Sequence, residues 1–263
     1  MLRVAHQAIT WEGWWRKNKM PFNVERLLQE VHDAGYEGVE LGGGAETLGP
    51  PRRLKDLLAV SELELAAWAI HVTAAQSPRN TDAYRRHIDY AAQMEVKVLM
   101  CCGGFLDEGG RRTTFDDDYQ RFAENLNAAA DYAKPYGQTI AYHPHRGCLV
   151  ETVEEADRLF RFNPRVGLCP DTGHLAAVRS DPATLIRRYP AKILHMHLKD
   201  FDTKTRTFTE LGQGDAGIDF KAVRDALRDI RYKGWIVAEQ DDPPMPPIES
   251  AKISRRFLRL LGV

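Results

Sequence analysis

Ile193-Leu194-His195-Met196-His197-Leu198-Lys199-Asp200 is a stretch of strand character in which two histidines stand two residues apart. Side chains on a strand alternate between its faces, so His195 and His197 look the same way and Lys199 continues their parity. Taken alone, the pair reads equally well as hydrogen-bonded interior histidines or as groups aimed into one cavity. Its neighbours decide the fold. Upstream lie a strand at Val166–Cys169 and a helix opened by Asp181-Pro182, with an acceptor at the cap and proline in the first turn. Downstream come a helix at Phe220–Ile230, a strand at Trp235–Ala238 and a closing helix at Glu249–Leu260.

The same alternation extends back to the N-terminus. Strands are predicted at Leu2–Ala8, Gly38–Leu41, Leu63–Ile70, Val96–Cys101 and Thr139–Tyr142. Between them fall helical segments: Val24, Leu27, Leu28 and Val31 at helical spacing behind an Asn23 cap, then Leu54–Val60, Thr81–Gln93, and a long helix from about Phe115 to Lys134 after a glycine-rich loop. Thr152 and Glu155 form a capping box ahead of the next one. Eight short apolar strands alternating with helices over 263 residues fit a (β/α)8 TIM barrel, for which about 250 residues is usual. The rival, an open doubly wound sheet, lacks a GxGxxG after its first strand. The expectation is an α/β barrel forming a single domain over residues 1–263.

Lys plus Arg (36) balances Asp plus Glu (37), which leaves no electrostatic pull toward nucleic acid or anionic lipid and favours a small-molecule partner. Cys101, Cys102, Cys148 and Cys169 show no CxxC spacing and read as reduced thiols. The chain enters a strand almost at once, with no leader and no membrane-spanning run, so a cytoplasmic protein is expected.

In a TIM barrel the chemistry sits at the C-terminal ends of the strands. Those ends carry His6 or Gln7, Glu40, His71, His143 and His145, Asp171 and His174, His197 and Lys199, and Glu239, Gln240 and Asp241. His32 and His87 fall mid-helix and are assigned no role. Strands five to eight each end in a potential ligand, His143, Asp171, His197 and Glu239, and such a set can converge on one divalent cation at about 2.0–2.2 Å.

Tyr142-His143-Pro144-His145, Asp171-Thr172-Gly173-His174, His195 to Asp200, Gly212-Gln213-Gly214 before Ile218-Asp219-Phe220, and Gly234 to Asp241 together resemble the xylose-isomerase-like sugar phosphate isomerase/epimerase superfamily. The branch containing inosose (2-keto-myo-inositol) dehydratases is the most similar. The resemblance implies a barrel holding one divalent ion, often Mn2+ and sometimes Co2+, Mg2+ or Zn2+, with Asp171, His197 and Glu239 at ligand positions. Many members place at the fifth strand a glutamate that is both ligand and acid/base; this chain has His143.

The expected activity is that of a metal-dependent isomerase or epimerase of a sugar, ketose or cyclitol. It would proceed by proton abstraction beside a carbonyl through a metal-stabilised enediolate, with inosose-type dehydration at the same site as the alternative. His145 is the first choice for acid/base work, its alternative being to orient a ligand, and Glu239 could act while bound to metal. Lys199 is expected to act in catalysis by holding a substrate oxygen or phosphate or by stabilising developing negative charge, or else to pair with Asp200 or Glu239. Glu40 is expected to bind substrate hydroxyls in the barrel mouth, or to pair with a basic neighbour. His174 is expected to contact substrate or metal-bound water, or to serve a helix cap. His71 is a weaker substrate-binding candidate. Trp11, Trp14 and Trp15 are read as lying on a loop after the first strand, with Trp14, like Phe105, offered as a sugar-stacking face; a hydrophobic cover or a homo-oligomer contact is the alternative. Gly42-Gly43-Gly44 and Gly212-Gln213-Gly214 could bring backbone N–H groups to a phosphate or simply make turns. Apurinic-site endonucleases share this barrel, but the near-neutral charge opposes that reading. A non-catalytic sugar-binding protein is the remaining class.

Overall fold

Apolar runs pair side by side around the sheet, the last strand beside the first, until the seventh meets the sixth. In a computed structural model that describes residues 2–74, 78–105 and 115–263, without the side chains of 78–80, the strands are β1 (Arg3–Gln7), β2 (Gly38–Gly42), β3 (Glu64–Val72), β4 (Val98–Gly103), β5 (Thr139–Tyr142), β6 (Gly167–Leu168), β7 (Met196–Leu198), β8 (Asp200–Asp202), β9 (Thr207–Thr209) and β10 (Trp235–Ala238). One sheet runs β6-β5-β4-β3-β2-β1-β10-β7, every pairing parallel. Leu168 bridges Ile193 and Asp171 bridges His197, which joins the two ends of the sheet and makes the TIM barrel.

The sixth and seventh strands are shorter than the apolar runs suggest, for a local reason. Pro170 has no N–H to donate, and the N–H groups of Leu194 and His195 both reach Leu168 O, at 3.0 and 3.4 Å. Regular pairing therefore resumes only at Met196, with His197 N donating to Pro170 O at 3.0 Å.

Helix starts follow the predicted chemistry. Asn23 accepts from Arg26 N, Thr152 and Glu155 cap reciprocally, and Asp181 accepts from Ala183 N and Thr184 N. The fifth helical segment begins at Pro78 rather than Thr81. The glycine-rich loop after β4 lies mostly at residues 106–114, outside the described part.

Two elements depart from expectation. Ile9–Lys17, read as a loop, is a helix. Its turn carries Trp11 and Trp15 into the core and sets Ile9 and Glu12 toward the barrel mouth. After β7 the chain makes an antiparallel hairpin, β8 with β9, that no periodicity announced. Outward residues such as Val39, Trp68, Leu99 and Ile140 join the large cluster under the helices. Inward ones include the small Ala5, Ala67, Ala141 and Cys169 beside Met100 and Val237, and the small ones leave room for the polar side chains above them.

Candidate metal centre and active site

Four neighbouring strand ends deliver His143, Asp171, His197 and Glu239 to one point. His143 continues the β5 ladder, its N–H reaching Cys101 O at 2.9 Å, and Glu239 continues β10, its N–H reaching Leu198 O at 3.0 Å. Asp171 caps the helix Thr172–Ala177, with Oδ1 accepting from His174 N at 2.8 Å, which fixes the carboxylate and leaves Oδ2 for the centre. One donor atom from each of the four lies within 4.8 Å of the others, and all four residues are buried. His143 Nδ1 and Asp171 Oδ2 have no hydrogen-bond partner among the described residues. Buried polar atoms left unmet cost about 1–3 kcal/mol each, and a divalent cation would satisfy both. Two imidazole nitrogens and two carboxylates are a donor set that fits such an ion.

The layer beneath holds these groups in place. Glu40 Oε2 lies 2.6 Å from His195 Nε2 and 3.1 Å from His197 Nε2, while His197 Nδ1 is 2.6 Å from Glu239 Oε2. Burial opposes the charge on Glu40, but His197 and His195 outweigh it and lower the carboxyl to about 2. Burial likewise opposes a charged His197, yet Cys169, Glu40 and Glu239 together raise it well above the ordinary imidazole value. Glu40 therefore does not face the mouth as a binder of hydroxyls. It is fully buried and orients His197 from behind, as carboxylates do for metal-ligating imidazoles. His195 is the hydrogen-bonded interior residue of the pair.

Lys199 is also fully buried. Its ammonium stands 3.0 Å from Glu239 Oε1 and from Asp241 Oδ1, 3.1 Å from His174 Nε2, and 3.8 Å from Asp171 Oδ2. Asp200, the other partner considered, turns away to accept from Gly212 N and Gly214 N at 2.9 and 3.1 Å, so those glycines serve a turn and offer no phosphate cradle. Burial works against ionisation of Glu239, but Lys199 and His197 hold its carboxyl well below the usual range. Asp241 goes the other way: burial pushes it up to about 7 against the pull of Lys199. Burial, with His197 beside one and Lys199 beside the other, keeps His143 and His174 neutral.

Above the centre opens a cavity of about 470 Å³ whose wall includes Gln7, Glu12, Gly42, Gly43, His71, His87, Cys102, Phe105, His143, His145, Glu239 and Asp241. Of the sequence candidates, His71, Phe105 and His145 line it. His174 does not: it is buried behind Lys199, with its ring 3.7 Å from that of His145. Trp14 is half-buried against the core and stands apart from the wall. Gln7 rather than His6 faces the cavity, because strand parity turns His6 outward against Trp11 and Tyr36. His87, set aside as a helix-face residue, reaches the wall, and so does Glu12; the helical spacing of Glu12 from Ile9 could have flagged it had the segment been read as a helix. His145 Nδ1 lies 2.7 Å from Arg146 O, which fixes that nitrogen as the donor and leaves Nε2 to accept.

The family model for the xylose isomerase-like TIM barrel matches residues 28–261, and the chain belongs to that family. Among its relatives, the inosose dehydratase of Lacticaseibacillus casei is 31% identical over 281 residues, covering 93% of both chains. The fold is similar to L-ribulose 3-epimerase, with a TM-score of 0.77 at 20% identity over 99% of this chain and 94% of that one. It is also similar to the IOLI protein with a bound zinc atom, with a TM-score of 0.75 at 20% identity over 99% and 98% of the two chains.

Proposed function

We propose that the protein is a divalent-metal-dependent isomerase or epimerase that removes a proton beside the carbonyl of a ketose or cyclitol ketone. The observation that carries this reading is the convergence of His143, Asp171, His197 and Glu239, of which His143 and Glu239 line a cavity whose wall also presents His145. The cation, for which Mn2+ is the first choice and Zn2+ is supported by the zinc in the IOLI protein, supplies Lewis-acid polarisation of the substrate oxygens.

The remaining roles belong to side chains. His145 Nε2, free to accept because Nδ1 is engaged with Arg146 O, takes the α-proton, as a neutral imidazole can. Lys199 balances the negative charge of Glu239, Asp241 and Asp171 around it, and Asp241, on the cavity wall, is set to bind a substrate hydroxyl. Return of the proton to the neighbouring carbon, with a hydroxyl proton passing between the two oxygens, isomerises; protonation of the original carbon from the opposite face epimerises and needs a second acid, the role open to Glu239 on the cavity wall.

Loss of a β-hydroxyl would instead dehydrate. That second reading is favoured by the inosose dehydratase relative, which is matched at 31% identity along its length, whereas the epimerase is matched at 20%. Incubating Mn2+-loaded protein with a panel of ketoses, their phosphates and inosose in deuterated water separates these outcomes. Deuterium at the α-carbon is expected, and product identity distinguishes isomerisation from dehydration. Full turnover by a metal-free preparation would overturn the proposal.

A further inference from the structure

Two buried thiols beside the proposed base are not used by the chemistry above. We propose that Cys102, Cys148 and His145 form a second cation site, on the cavity wall, for a thiophilic ion such as Zn2+. One ligand atom from each lies within 4.8 Å of the other two.

The scaffold around them is built from ordered backbone. Cys102 stands on β4, in register with His71 of β3, and lines the cavity together with His145. His145-Arg146-Gly147-Cys148 is a tight turn closed by Cys148 N donating to His145 O at 3.0 Å. Gly147 sits there at φ 86°, a left-handed conformation that glycine adopts without strain. The turn is tied to the end of β4 by an antiparallel bridge between Phe105 and Cys148 and by Leu149 N donating to Gly104 O at 2.7 Å. The neighbouring Cys102 thiol and burial push the Cys148 thiol up.

The donor chemistry separates this site from the first. Two sulfurs and one imidazole nitrogen suit Zn2+ or Co2+, whereas the deeper set of two nitrogens and two carboxylates also accepts the harder Mn2+. Three protein ligands leave a fourth position toward the cavity, as in open tetrahedral sites. On binding, the two thiol protons pass to solvent as two S–metal bonds form. The site stands on its ligands alone. Its consequence rests on the role proposed for His145, because an imidazole nitrogen that ligates a cation cannot also accept the substrate proton, so the second ion would inhibit.

Metal-free protein, kept reduced with a phosphine, is titrated with Co2+ and followed by absorption. The expected result is two Co2+ per chain, one of them bringing a sulfur-to-cobalt charge-transfer band. Cys148→Ser should lose the band and one equivalent while keeping the other. Saturation of the wild type at one Co2+ with no such band would overturn the site, even if the variant failed to fold. In the deuterium-exchange assay, Zn2+ added to Mn2+-loaded wild type should abolish exchange that Cys148→Ser retains. Equal loss in both would mean displacement of Mn2+ from the deeper site, and would overturn the inhibitory role. Absence of exchange with every substrate would count against the proposed function, and the cobalt spectrum would still decide the site.

Discussion

His197 is poised for ligation by a fully buried residue, Glu40. With Glu40 accepting from Nε2, the ring is pinned and Nδ1 faces the centre. Glu40→Gln should therefore weaken metal binding by roughly 10–100-fold without altering a primary ligand, measurable by calorimetric titration of Mn2+; unchanged affinity would remove Glu40 from this role. His197→Ala or Glu239→Ala should abolish stoichiometric metal, whereas His145→Ala should retain it and lose deuterium exchange. His6 governs a separate property. Burial lowers it to about 4, against the opposing effects of Gln7 O and Glu239, while an unfolded imidazole titrates near 6.5. Between those values the unfolded chain binds a proton that the folded chain refuses, so stability falls as pH drops from about 6.5 to about 4, by up to about 3 kcal/mol. His6→Leu should lose less stability than the wild type between pH 7 and pH 5 in urea unfolding; an equal loss would assign the slope elsewhere. At this scale the four converging side chains proposed as ligands were legible because each ends a strand, but Glu40 was misplaced because its partners, His195 and His197, lie more than 150 positions away.

The elements that sequence reading missed are those that shape the walls. Three tryptophans within five residues suggested an exposed aromatic loop, yet Trp11 and Trp15 fall on the core-facing side of a helix and Glu12 on the cavity side. Gly13 lets that helix approach β10's end, since a Cβ there would lie 2.6 Å from Asp241 O. The β8–β9 hairpin places Phe208 with its ring 4.6 Å from both the Lys199 ammonium and the His174 ring. Asp200 and Gly214 fix the hairpin's base, and a Cβ at Gly214 would meet Asp200 Oδ1 at 2.2 Å and Phe201 O at 2.5 Å. Gly214→Ala should accordingly cost about 1–3 kcal/mol by overpacking, read by denaturant unfolding, and should lower turnover by loosening the cover on Lys199. Stability equal to the wild type would show that the clamp yields without strain. The hairpin was not legible because three-residue strands carry too few positions for an alternation to register.

For the molecule as a whole, the barrel and the proposed centre are joined, since the four donors come from β5, β10 and the ends flanking the β6–β7 seam. The seam is closed by isolated bridges, one of them between the proposed ligands Asp171 and His197. A cation bound to both would pin the most weakly paired part of the wall. Metal at about 100 times its dissociation constant should raise stability by about 2.7 kcal/mol and the melting temperature by several degrees. Calorimetric scans with and without Mn2+ test this, and Glu239→Ala should show no shift. A wild type that melts at one temperature in both conditions would contradict a metal held by these four residues.

The alternation of short apolar runs with amphipathic segments determined the barrel, and strand parity with the ends of strands five to eight determined the four donors, because both are local periodicities that one stretch of chain expresses alone. Tertiary structure decided the rest. It turned Gln7 and not His6 to the cavity, set Glu40 behind His197, enclosed Lys199 among three carboxylates and brought Cys102 to Cys148. Each of these depends on which distant segment packs opposite, and no periodicity within a single stretch records that partner. His197 and Lys199 keep the face that the opening octapeptide assigned them, and only the closed barrel revealed what stands across from it.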